Sequence, residues 1–209
     1  MRQLIRGKAP GCLKSYRHGT HNWDAVTKTD KDDIWTELGV MQDQRCAYCE
    51  GNMATEDRHI EHFRQKGRDP KQTFAWSNLF GSCSRENSCG KHKDRIGTYP
   101  PAVLIKPDIE DPERFLVFTP DGGVSPRKGL SAEDENRARE TIRIFNLDAA
   151  LKPIRHREIC GYVQTAEYLA ALAESFKEEE WMPLLQQEIA ATAHLPFATA
   201  IKHVLTRQG

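Results

Sequence analysis

Four of the six cysteines fall in two close pairs, Cys46-Ala-Tyr-Cys49 and Cys83 with Cys89. Thiolates are soft ligands that favour Zn²⁺ in a closed tetrahedral site, and paired spacing is how two turns deliver four of them. A four-cysteine site has no open coordination position, so the expected zinc is structural and any catalysis must come from residues beside it. Cys46, Cys49, Cys83 and Cys89 are therefore read as a staple. Cys12 and Cys160 have no close partner in sequence and are read as ordinary buried thiols.

Between the pairs lies His59-Ile60-Glu61-His62-Phe63. A carboxylate next to an imidazole supplies a hard oxygen for Mg²⁺ or Mn²⁺ and a base that is neutral near pH 7. Phosphodiester hydrolysis needs that combination: a base to deprotonate water and a divalent cation to stabilise the phosphate and the departing oxygen. Trp76-Ser77-Asn78-Leu79 leads into Cys83. After Cys89 comes Gly90-Lys91-His92-Lys93-Asp94-Arg95, read as a short helix. It offers His92 and Asp94 as metal ligands and Lys91, Lys93 and Arg95 as phosphate contacts. A solvated charged face is the bland account of those three cations.

Taken in order, Cys-x2-Cys, Glu-His, Asn-Leu, Cys, Cys and a basic turn with His and Asp resemble the HNH endonuclease motif. That family folds a β-hairpin and a helix around one catalytic metal. The resemblance implies that His62 is the general base, Glu61 the acidic metal ligand, and Asn78 the brace of the loop holding the base. The family usually has His or Asn directly after the fourth cysteine, where this chain has Gly90. His92 or Asp94 must then supply the second ligand, and Asp94 is favoured because one helical turn separates it from Gly90.

Further stretches resemble the PtuB family of nuclease subunits from Septu and retron-associated anti-phage systems: Ile5-Arg6-Gly7, Pro10-Gly11-Cys12-Leu13, Cys46 to Glu50, Ile60 to Phe63, Cys89-Gly90, Lys106-Pro107-Asp108, Asp111-Pro112 and Thr141 to Leu147. Together they span about residues 1–160. Membership implies a PtuA-like ATPase partner of the ABC/SMC type, DNA as the expected target with RNA also open, and a retron reverse transcriptase and non-coding RNA as further candidates. A different class of reading keeps the zinc ribbon without hydrolysis, as a nucleic-acid-binding or adaptor subunit of an ATPase complex. The Glu61-His62 pair with Asn78 discriminates, because a bare ribbon has no need of a base, a carboxylate and a brace.

The elements that must position these residues follow from pattern. The fold class expected is α+β, a ββα-metal core stapled by the four-cysteine zinc site, with an N-terminal arm and helix and a C-terminal helical region. Residues 1–44 form the basic arm and a helix from Thr29-Asp30 to about Gln44, burying Ile34, Trp35, Leu38 and Met41. Residues 45–98 form the stapled core. Residues 99–209 begin with a Pro-rich connection. They continue with a strand at Phe115 to Phe118, turned at Asp121-Gly122-Gly123 toward Val124. A helix capped at Ser131 follows to about Phe145, burying Ala138, Ile142 and Phe145. The remainder reads as helix divided by Pro153, Pro183 and Pro196, the latter two near helix starts, and is the expected docking face for a partner.

Composition bounds the alternatives. The 209 residues are 38% hydrophobic and 29% charged, which fits a globular protein and excludes a disordered chain. No apolar run approaches the roughly 18 residues of a membrane helix, and the opening residues lack a signal-peptide core, so the expected location is cytoplasmic, where disulfides are rare. Net charge is zero, but residues 1–107 hold 18 Lys and Arg against 13 Asp and Glu, and the rest reverse the balance. The front half is the one that tolerates phosphate, and a neutral whole suggests that nucleic-acid affinity depends on the partner.

Overall fold

A computed structural model describes residues 1–206. Helix α1 (Lys28–Gln42) starts where Thr27 Oγ1 accepts the backbone N–H of Asp30 at 3.2 Å. It buries Ile34, Leu38 and Met41 and stops where Asp43 and Gln44 turn left-handed. The sequence places this helix one to two residues too far along at each end. Strands β1 (Arg58–His62) and β2 (Leu79–Cys83) pair antiparallel, with Arg58 opposite Cys83 and His62 opposite Leu79. Helix α2 (Cys89–Arg95) follows directly, so residues 58–95 make a β-hairpin closed by a helix.

A second hairpin, β3 (Leu116–Phe118) with β4 (Val124–Pro126), turns at Gly122, whose φ is 83°. A side chain there would also collide with the Lys152 carbonyl, so glycine is required twice over. Helix α3 (Ala132–Phe145) is capped by Ser131, whose side chain accepts the Asp134 N–H, and ends at left-handed Asn146. Its buried face is Ala138, Thr141, Ile144 and Phe145; Ile142, expected inside, is only half-buried. Thr141 stays buried because its hydroxyl accepts the Ile105 N–H at 2.9 Å.

Helices α4 (Lys152–Ser175), α5 (Glu178–Thr192) and α6 (Ala198–Leu205) complete the chain. Pro183 lies inside α5 rather than at its start, since Lys177 caps that helix. Cys160 is exposed on α4, contrary to its reading as a buried thiol. Among the described residues no helix is long and apolar enough to cross a membrane.

One buried cluster runs from Leu4 through Leu79 and Phe145 to Leu205, joining the stapled hairpin to the last helix. α6 is part of that core: Ala200, Ile201, Val204 and Leu205 are buried. His203 ties it to β3. Its Nδ1 accepts the Phe118 N–H at 3.1 Å, so the ring proton belongs on Nε2, which faces Glu113 Oε2 at 3.2 Å. Lys202 Nζ reaches the same oxygen at 2.8 Å.

Burial opposes the charge on Glu113, but the hydrogen bonds from His203 and Lys202 outweigh it and hold the carboxyl at about 2. A depressed carboxyl stabilises the fold above its unfolded value near 4.3, and that contribution is lost as pH falls toward 2. Glu113→Gln is therefore expected to cost about 1–2 kcal/mol at pH 7 and to flatten the loss of stability between about pH 4.5 and 2. Urea denaturation across that range checks it; an unchanged acid slope counts against the assignment.

Candidate metal centre and active-site cleft

The first cysteine pair sits on a tight turn. Cys46 N–H bonds to Gly51 O at 3.1 Å, Glu50 N–H to Cys46 O at 3.0 Å, and Gly51 N–H to Cys49 Sγ at 3.4 Å. Glu50 takes a left-handed φ of 63° to close it. Its buried carboxylate is held by the Met1 amino group at 2.6 Å and by the Thr199 N–H and hydroxyl, and this anchors the knuckle to the end of the chain. The second pair comes from the end of β2 (Cys83) and the start of α2 (Cys89), where Cys89 adopts φ 55°.

The four sulfurs lie within 4.8 Å of one another and are buried, with Cys49 and Cys83 4.0 Å apart. Zn–S bonds of about 2.3 Å at tetrahedral angles place sulfurs ~3.8 Å apart, so this donor set fits a structural metal such as zinc. Burial opposes ionisation of Cys46, but hydrogen bonds from Cys49, Cys83 and Cys89 hold its thiol well below the ordinary value. Hydrogen bonds to Cys46 and Cys83, with burial, push Cys49 up against the opposing bond to Cys89. Burial and the same crowding push Cys89 up. Thiolates are the form that binds a metal, so ionisation of the cluster and metal binding are coupled.

The hairpin carries the remaining candidates. His59 and Glu61 alternate on β1 and share a face. Glu61 is buried; its Oε2 lies 3.1 Å from His59 Nε2 and its Oε1 2.6 Å from Lys93 Nζ. The latter contact is an ion pair whose angles fall short of a hydrogen bond. Burial raises the Glu61 carboxyl, while His59 and Lys93 lower it further, and the net direction is down. Lys93 is itself fully buried, donating to Asp94 Oδ1 at 2.8 Å and to the His62 carbonyl at 2.9 Å. Burial would lower its ammonium, but the Glu61 charge wins and raises it.

His62 is buried against the edge of Trp23, with ring centroids 4.5 Å apart. Its Nε2 lies 3.1 Å from the Thr73 carbonyl, which can only accept, so the neutral ring carries its proton on Nε2 and leaves Nδ1 as a lone pair. Burial lowers its value to about 4, so the ring is neutral at pH 7. With Asp94, Gln65, Lys66, Gly67 and Arg68 it lines a cavity of about 260 Å³. Asn78 clamps the loop that supplies Thr73. It accepts the Arg64 N–H at 2.7 Å and donates to the carbonyls of Arg64 and Gln72, both at 3.0 Å.

The structure separates other residues that the sequence groups. His92 turns to α3, its Nδ1 3.0 Å from the Ile144 carbonyl. Among the described residues, Glu61, His92 and Asp94 do not form a cluster of ligand atoms within 4.8 Å. Asp94 meets Glu61 only through the Lys93 ammonium. Lys93 is no phosphate contact in this state: α2 begins at buried Cys89, so position 93, one turn on, faces the hairpin. Lys91 and Arg95 both pair with Glu86. The basic rim of the His62 cavity is instead Lys66 and Arg68. Neither carries a motif signal in the sequence, and the same is true of Trp23 and Thr73.

Cys46→Ser is expected to drop metal content below one zinc per chain and to lower the melting temperature by roughly 6 °C or more, because metal binding and local folding are one event. Elemental analysis with thermal melts checks this, and full zinc occupancy in the variant would refute the four-cysteine assignment.

No protein-family model matches the chain. It is 25% identical over 178 residues to Septu protein PtuB of Bacillus thuringiensis, a match that takes in 83% of this chain and 62% of that protein, so the chain spans about three fifths of its relative's length.

Proposed function

We propose that the chain is an HNH-type, metal-dependent endonuclease subunit of an anti-phage defence system. The observation that carries this is His62: a neutral imidazole, oriented by one carbonyl, that lines a cavity together with a carboxylate and two cations. The similarity to a Septu PtuB supports the defence setting. It also supports a PtuA-type partner. The proposal takes that partner to be an ABC/SMC-type ATPase and the target to be DNA, with RNA as an alternative substrate and a retron reverse transcriptase with its RNA as a further neighbour.

Lys66 and Arg68 would draw a phosphate to the cavity mouth. A water beside His62 would pass its proton to Nδ1 and attack phosphorus as the P–O bond to the sugar oxygen breaks, that oxygen taking a proton from solvent. Thr73, accepting from Nε2, would stabilise the imidazolium as it forms. Asn78 keeps Thr73 in place through the 64–78 loop. Mg²⁺ or Mn²⁺, when bound, supplies charge stabilisation at the phosphate and the departing oxygen. Glu61 offers it a hard oxygen; of the two helix candidates for a second ligand, His92 is engaged with α3 and Asp94 is tied to Lys93.

One observation favours the second reading, a non-catalytic zinc-ribbon adaptor: Glu61 is already neutralised by Lys93. Activity decides between them. His62→Ala is expected to lose about 10²–10⁴-fold in cutting while keeping its zinc, measured on plasmid, linear DNA and RNA in Mg²⁺ or Mn²⁺, with and without the ATPase. Wild-type rates in that variant would sink the hydrolytic mechanism. Replacing Lys66 and Arg68 together by Ala is expected to weaken nucleic-acid binding regardless of sequence and to reduce the salt slope by about 1 for each phosphate no longer neutralised. An unchanged slope would place the phosphate elsewhere.

A further inference from the structure

The geometry points to His59, with Glu61, as the protein's two-ligand seat for a hard divalent cation, displaced from helix α2 onto strand β1. The inference rests on the hydrolase reading above and names the residue that completes its metal site. His59 and Glu61 stand two apart on one strand and project to the same face, toward Gly90. Their facing atoms, Nε2 and Oε2, are 3.1 Å apart. Two donors each about 2.1 Å from one cation at right angles stand ~3.0 Å apart, so the pair is spaced for chelation. The other ring nitrogen, Nδ1, lies 3.5 Å from Ser84 Oγ, and the other carboxylate oxygen is held by Lys93. Both donors are thus fixed from behind, as metal ligands commonly are.

Gly90 supplies the independent observation. A Cβ there would lie 2.5 Å from Glu61 Oε2 and 2.8 Å from His59 Nε2. No side chain on the helix can share that space, so the helix yields the position and the strand fills it. Glu61 is sealed from solvent, while the His59 side chain is 24% exposed and gives the cation a way in. Mg²⁺ and Mn²⁺ bind through one or two protein groups and keep several waters, which leaves room for a phosphate oxygen. The competing occupant of the gap is a proton on Nε2, giving a plain hydrogen bond.

Mn²⁺ titration of the zinc-loaded full chain, followed by pulsed EPR, separates the two. Wild type is expected to bind one Mn²⁺ with the ¹⁴N modulation of an imidazole ligand. His59→Ala should lose that modulation and bind about 10-fold or more weakly, with zinc content and melting temperature showing that the fold survives. Gly90→Ala, which alters neither ligand but crowds both, should weaken Mn²⁺ in the same sense, so the test does not hang on one variant. Undiminished affinity and modulation in His59→Ala overturns the proposal; if His92→Ala then removes the signal, the hydrolase reading stands with a different ligand. Wild type that binds no Mn²⁺, in a complex that also cuts nothing, removes both.

Discussion

A lysine ammonium with no access to water joins the hairpin to the helix that follows it. Lys93 reaches Glu61 on β1, the His62 carbonyl at the end of β1 and Asp94 on its own helix. Each contact fixes something different: the carboxylate's orientation, the backbone from which the His62 ring projects, and the carboxylate at the cavity wall. Deleting one member of a buried pair leaves the other charge stranded, at a cost of about 3–5 kcal/mol. The pair therefore adds less to net stability than to geometry. It is tolerable because every charge has a partner, and it is demanding because the backbone on both sides must hold still for the partners to meet.

What holds the backbone still is the cysteine cluster. Cys83 ends β2 and Cys89 begins α2, so the phase of a seven-residue helix is set by where its first residue must place a sulfur. That one constraint puts Gly90 and Lys93 against the hairpin and turns His92 toward α3. It also shows why some of this site is legible in the sequence and the rest is not. The cysteine spacing, the Ser131 cap and the Gly122 turn are local signals, each decided by a few neighbouring residues. The facing of residues 91–95 depends on a left-handed Cys89 and a distant strand, so a generic helical count assigns Lys93 to solvent and barely separates His92 from Asp94. Trp23 and Thr73 are invisible for the same reason: they meet His62 only after the arm and the 63–78 loop have folded over it.

The environment of His62 shows two demands in tension. Burial against Trp23 keeps the ring neutral and oriented, which suits a proton acceptor. The same burial restricts approach, and the cavity between Asp94 and the Lys66–Arg68 loop is where the ring is reached. Asn78 clamps the loop at Arg64 and at Gln72, serving three bonds because its amide both accepts and donates. An aspartate in that place could accept from Arg64 but could not donate to the two carbonyls, so the amide, rather than polarity as such, closes the loop.

The C-terminal half is bound to this centre through the core rather than appended to it. Phe145 at the end of α3 stacks on Tyr48 between the first two cysteines, with ring centroids 4.1 Å apart. Thr199 at the start of α6 bonds to Glu50 one residue after the knuckle, and Phe197 donates its N–H to the Glu50 carbonyl at 3.2 Å. The turn that presents Cys46 and Cys49 is therefore buttressed by α3 on one side and by α6 on the other. A metal alone would fix four sulfurs relative to one another. It is these apolar and hydrogen-bonded contacts that fix the sulfur cluster relative to the remainder of the chain. The apolar side chains of α6 are spent on that buttress, Ala200, Ile201, Val204 and Leu205 all lying inside, whereas α4 and α5 leave Tyr168 and Leu184 exposed.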